Sequence, residues 1–123
     1  MTRIISIITE KIQMKAELNN SKTADLLWEI LPVADSVSTW GEEIYFSIPL
    51  KTGPEDAVSM VEVGDVAYWP EGSCFCIFFG QTPVSTAGEI RPASPVNLVG
   101  RLRGDPRAWG DVCDGEEITL EKA

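Results

Sequence analysis

The most informative hydrophobic pattern lies at residues 66–82, where two aromatic and β-branched runs flank Pro70, Glu71 and Gly72. Pro70 sets φ for a tight turn and Gly72 is free to take a positive φ, so the two runs are predicted to pair as a β-hairpin. In the second run Phe75, Ile77 and Phe79 alternate with Cys74, Cys76 and Phe78, and neither set is polar. Successive side chains on a strand point to opposite faces, so this strand must be covered by protein on both sides. In a chain of 123 residues that implies a closed barrel or a sandwich.

The rest of the chain reads the same way. Ile12, Met14, Ala16 and Leu18 alternate with Gln13, Lys15 and Glu17, the period of a strand with one wet face, paired back onto residues 3–9 through a short turn at Glu10. Asn20 or Ser21 caps a helix with Ala24, Leu27, Trp28, Ile30 and Leu31 on one stripe and Lys22, Asp25 and Glu29 opposite, stopped by Pro32. Residues 33–40 and 43–48 look extended and are joined at Gly41. Residues 58–63 and 66–69 are separated by Gly64 and Asp65, a hairpin signal, so that with 73–79 they are predicted to form a three-stranded meander. Residues 96–102 and 117–121 are further strands, and 105–109 suits one short helical turn. The expected architecture is mainly β: one domain over residues 1–123, a closed antiparallel barrel of eight or nine short strands with one helix, whose closure removes exposed edges. Ile44, Phe46, Ile77 and Val99 are expected inside it, and Glu62, Glu117 and Glu121 in solvent.

Composition narrows the function classes. No run of about 18 apolar residues is present to span a bilayer. Glu10 and Lys11 follow the apolar start where a cleavage site would need small residues, so a cytoplasmic location is expected and no membrane partner. The net charge of −9, from 19 acidic and 10 basic residues, repels a phosphate backbone, so nucleic acid is not an expected partner. The acidity suits solubility, or steering of cationic ligands. The chain has three cysteines and no histidine. Cys74 and Cys76 are poorly placed to bridge one another, and zinc held by them and Cys113 would need a carboxylate as fourth ligand. Ser–His and Cys–His nucleophiles are excluded, and no glycine cluster joins a strand to a helix as a phosphate loop requires. No metal and no cofactor are expected.

Four segments, residues 39–46, 64–72, 78–83 and 92–100, resemble in order and wording the small prokaryotic cyclophilin-like family. That resemblance implies an eight-stranded antiparallel barrel, a minimal cyclophilin fold with trimmed loops and one helix near the N-terminus. A weaker resemblance links residues 72–77 and 96–100 to true cyclophilins, the peptidyl-prolyl isomerases. By that resemblance a phenylalanine of the isomerases' proline pocket corresponds to Cys76, their pocket histidine to Val96, and their catalytic arginine to the 40–45 strand, where the charged residues are Glu42 and Glu43. An arginine there holds the peptide carbonyl and polarises the amide, whereas a carboxylate opposes that field. The isomerase machinery therefore does not carry over.

What remains is a candidate binding groove. Glu42 and Glu43 point to opposite faces of a strand, so one of them faces the groove and the other solvent. Amphipathic rings and nearby polar groups nominate Trp40, Glu43, Tyr45, Tyr68, Phe79, Gln81, Arg91 and Asn97 as its lining. The Pro-rich connection over residues 81–95 is long for a compact domain, and is expected to border the same concavity as the 40–45 strand. Arg91 is then placed to neutralise Glu42 or Glu43 or to clamp a ligand carboxylate. The expected partner is a small molecule or a short peptide, bound without prolyl isomerase catalysis. A degenerate isomerase and a protein-interaction module are the alternatives, and the pattern leaves the oligomeric state open.

Overall fold

The computed structural model describes residues 2–123. The chain opens with the predicted hairpin of β1 (Ile4–Ile8) and β2 (Gln13–Leu18). Ser21 then caps α1 (Lys22–Ile30), accepting a hydrogen bond from the Ala24 backbone N–H at 3.1 Å. There follow β3 (Val33–Ser36), β4 (Ser38–Thr39), β5 (Glu43–Ser47), β6 (Asp65–Trp69), β7 (Cys74–Phe78), β8 (Asn97–Leu102), a short 3-10 helix at Pro106–Asp111, and β9 (Glu117–Lys122). All strand pairs are antiparallel, in one sheet of order β3-β9-β1-β2-β8-β6-β7-β5-β4.

Its two edge strands, β3 and β4, are separated by Val37 alone, so the sheet curls until its edges are consecutive pieces of chain. That junction explains why nine strands are found rather than the eight implied by resemblance. Val37 leaves the ladder to exchange backbone hydrogen bonds with the 115–116 turn, donating to Glu116 and accepting from Gly115, both at 2.9 Å. One extended run over residues 33–40 is thereby divided into two strands. No helix among the described residues is long and apolar enough to cross a membrane.

Two predicted features are corrected. Residues 58–63 form no strand of the sheet. Both edges of β6 are occupied, by β7 and β8, so the 58–61 segment lies outside the barrel and makes isolated bridges, Val58 to Val96 and Val61 to Ile90. Gly64 correspondingly donates to the Phe78 carbonyl at 2.8 Å instead of turning a hairpin, and the meander reduces to β6 and β7. The turn between those strands is present, but the positive φ belongs to Ser73, at 53°. Gly72 serves for space: a Cβ there would lie 2.3 Å from the Trp69 ring.

The core has two layers. Inside the barrel, Ile44, Phe46, Ile77 and Val99 are buried as expected, with Phe46 against Phe75 at 5.5 Å between ring centroids. Glu62, Glu117 and Glu121 are exposed. On the outer face of β5, β7 and β6 a second cluster, Val61, Ala67, Cys74, Cys76, Phe78 and Val96, is roofed by the 58–61 and 90–96 segments. This outer layer is what covers β7 on its second side.

Candidate functional site

A cavity of about 260 Å³ opens in that outer layer, lined by Trp40, Glu43, Tyr45, Trp69, Pro92, Ala93 and Val96. Its construction follows from strand geometry. Trp40 and Glu43 are held together by a tight turn with reciprocal backbone hydrogen bonds of 2.9 and 3.2 Å. Glu43 and Tyr45, two residues apart on β5, share the outward face. Across the ladder Tyr45 pairs with Cys76, and Cys76 with Ala67. These two small side chains lie between larger neighbours, which leaves room above them. Tyr45 and Trp69 meet edge to face, with centroids 6.4 Å apart and planes at 83°, a favoured aromatic arrangement that presents two perpendicular walls. The Trp69 indole N–H is tied to Ser94 Oγ at 2.5 Å, fixing the ring against the loop.

The root of the 81–95 loop is stitched to the 40–42 segment. Glu42 donates its backbone N–H to the Gln81 carbonyl at 2.8 Å and accepts from Phe79 at 3.0 Å. Gly41 has φ of +59°, and a Cβ there would come within 2.8 Å of Gln81 O and Pro83 Cδ, so glycine satisfies both the backbone and the close approach. Thr82, buried, donates through Oγ1 to the Arg91 carbonyl. Ser85 Oγ accepts from the Thr82 and Arg91 backbone N–H groups, each at 3.0 Å. These bonds pinch the loop closed and deliver Pro92 and Ala93 to the cavity. The predicted juxtaposition of this loop and the 40–45 strand is therefore present.

Glu43 is the chemically unusual group. It is 5 % exposed, and burial pushes its carboxyl up to about 7, opposed by a hydrogen bond with the Cys76 thiol. The buried Cys76 thiol is itself pushed well up, first by desolvation and then by the neighbouring Glu43 charge. A protonated thiol beneath a carboxyl poised near neutrality is the result. Glu42 is exposed and turned away from the cavity, its Oε1 accepting from the Gln81 N–H at 3.2 Å. The choice between the two glutamates is thus decided in favour of Glu43.

Of the eight nominated residues, the cavity brings together Trp40, Glu43 and Tyr45. Tyr68 lies inside the barrel, 1 % exposed, donating its hydroxyl to the Leu50 carbonyl at 2.7 Å. Phe79 continues the inward set and packs on the barrel core. Gln81 is exposed and donates through Nε2 to the Thr86 carbonyl at 3.2 Å. Arg91 pairs with Glu89 at 2.5 Å, not with Glu42 or Glu43. Asn97 is a buried tether: its Nδ2 donates to Thr23 Oγ1 and the Gly53 carbonyl, each at 3.1 Å, while Oδ1 accepts from the Glu55 N–H at 2.9 Å. Glu55 in turn accepts from the Thr23 hydroxyl and from the Thr23 and Lys22 N–H groups at the start of α1, which hold its carboxyl below the usual range. Trp69, Pro92, Ala93 and Val96 complete the cavity without having been nominated. Period-two alternation carried the signal for Trp69, which must point away from Tyr68.

The fold and site together define a small, nearly closed antiparallel barrel with a cavity on its outer face, walled by the 40–45 segment, Trp69 and the 92–96 segment. Residues 3–121 match the family model described as Cyclophilin-like, and the chain belongs to that family. It is similar to the solution structure of the hypothetical protein AF2241 from Archaeoglobus fulgidus, with 35% sequence identity, a TM-score of 0.85 and coverage of 99% of this chain and 95% of that one. No curated protein matches the sequence.

Proposed function

We propose that this cyclophilin-like barrel binds a small molecule, or one side chain of a short peptide, in the outer-face cavity, without prolyl isomerase catalysis. The observation that carries this reading is the Glu43 carboxyl, almost wholly buried yet lining a cavity whose other walls are aromatic and aliphatic. A mostly apolar pocket with one convergent polar group of perturbed acidity is the usual form of a small-molecule site. Against isomerase chemistry, the lining contains no arginine and no histidine, and a carboxylate disfavours the electron-rich peptide carbonyl that catalysis must hold.

The test is a fragment screen by amide chemical-shift mapping on wild type, Tyr45→Ala and Trp69→Ala, alongside a prolyl-peptide isomerisation assay. The expected result is hits that shift Trp40, Glu43, Tyr45 and Trp69 and weaken in both variants, with no acceleration of isomerisation. Hits confined to other surfaces, or none, overturn the binding reading, and catalysis that depends on Glu43 or Tyr45 restores the isomerase.

A further inference from the structure

Resting on that reading, we infer that the cavity recognises an organic cation, an alkylated ammonium group seated among Trp40, Tyr45 and Trp69 with Glu43 as its counter-ion. The walls supply the first argument. Aromatic faces attract cations through their negative quadrupole, most strongly for tryptophan and when the site is desolvated, and here two of three rings are tryptophans, with Tyr45 and Trp69 perpendicular. A perpendicular pair presents surfaces to two sides of a roughly spherical head group. Pro92, Ala93 and Val96 close the remaining sides without polar demands.

The carboxyl supplies the second. Glu43 is 5 % exposed and no cationic side chain is paired with it among the described residues. An ionised carboxylate in such surroundings is costly until a positive charge arrives, and a cationic ligand provides the missing partner. Arg91, adjacent in sequence to the lining residue Pro92, is paired with Glu89 at 2.5 Å. A metal ion is a poor fit for this single carboxyl, since no group of three or more potential ligands occurs among the described residues.

The mostly apolar lining selects the alkylated form. Trp40 and Glu43 spend their backbone groups on each other, and Ser94 Oγ is engaged by Trp69. Among the lining side chains Glu43 alone carries a charge, and the other walls are aromatic or aliphatic, so a methylated head, which donates no hydrogen bond and packs its methyl groups on those walls, fits them better than a primary ammonium with three N–H donors to satisfy. A cavity of about 260 Å³ is compact for a ligand site and suits such a head group. Titratable groups around Glu43 are Tyr45 on the same face of β5 and, on β7, the Cys76 thiol with Cys74 further along, both thiols pushed up by burial. Cation binding therefore draws its proton release from Glu43. The head group has two possible sources, a free small molecule or a methylated lysine of a peptide.

The experiment titrates wild type and Glu43→Gln, followed by amide shifts of the lining residues and by tryptophan fluorescence. The probes are choline, its neutral isostere with carbon replacing nitrogen, and a short peptide with trimethyl-lysine or unmodified lysine. Choline, the trimethyl-lysine peptide, or both are expected to bind in the cavity. Each should bind about tenfold or more tighter than its neutral or unmethylated counterpart and lose about tenfold in Glu43→Gln. Binding of choline alone or of the peptide alone supports the inference and identifies the source. If the neutral isostere occupies the cavity as tightly as choline, the cation inference fails while the binding reading stands. If neither cation binds there but other fragments do, the inference fails; if nothing binds there, both fail.

Discussion

Replacing Glu43 by Gln perturbs one group and has an effect whose sign depends on pH. The carboxyl titrates at about 7 in the folded protein against 4.5 as a free group, chiefly because burial penalises its charge. Such a difference corresponds to about 3 kcal/mol between the two states of ionisation. Below pH 4.5 the carboxyl is protonated both folded and unfolded, and its contribution to stability is fully present. Between pH 4.5 and 7 the unfolded chain ionises while the folded protein keeps its proton, so stability is lost through that window and levels off above it. Glutamine does not ionise and is nearly isosteric. Glu43→Gln is therefore expected to match wild type at pH 4 and to exceed it by about 3 kcal/mol at pH 8. Glu55 and Glu116, whose carboxyls are held low by hydrogen bonds, titrate in the opposite sense and largely cancel when the two proteins are subtracted. Urea unfolding of both from pH 4 to 8, with equal m-values as the check on two-state behaviour, gives the difference curve. A flat curve, or a variant less stable at pH 8, would refute the argument, because it requires a cationic partner for Glu43, or a donor stronger than the Cys76 thiol, that the geometry lacks.

Three further substitutions probe the frame. Phe46→Ala, at a site 2 % exposed, should lower unfolding free energy by about 3–5 kcal/mol in chemical denaturation; a loss below about 1 kcal/mol would place the ring outside the barrel core. Asn97→Ala removes three hydrogen bonds linking β8 to Thr23, Gly53 and Glu55 and should cost about 1–3 kcal/mol while leaving cavity ligands at wild-type affinity. Weakened binding without destabilisation would return Asn97 to the site. Gly72→Ala brings a methyl into the Trp69 ring, so it should destabilise by about 1–3 kcal/mol and shift the Trp69 indole resonance; an unmoved resonance would show that the turn yields instead.

Alternation made most of the barrel legible. β1, β2, β5, β7, β8 and β9 lie within two residues of their predicted spans, because a strand with one or two apolar faces leaves a period-two record. The same record cannot say which sheet edges are free, so residues 58–63 looked like a strand while β6 had no edge to offer them. The site was legible only in outline. Trp40, Glu43 and Tyr45 follow from the turn at Gly41 and from the spacing of Glu43 and Tyr45. Tyr68 was nominated where Trp69 belongs, although strict alternation separates them, and Phe79 falls inward with Phe75 and Ile77 by the same rule. Arg91 and Asn97 were misplaced for another reason: polar side chains settle on the nearest unsatisfied partner, here Glu89 two residues away and the Thr23 to Glu55 cluster, and tertiary structure chooses that partner.

Direct titration of the Glu43 side-chain carboxyl by carbon-detected NMR, with and without a saturating methylated ammonium ligand, tests the central claim most closely. The account predicts a midpoint near 7 in the free protein, falling when the cation is bound because the positive charge stabilises the carboxylate. A midpoint at the ordinary 4.5 in the free protein, unmoved by any cation, would contradict it.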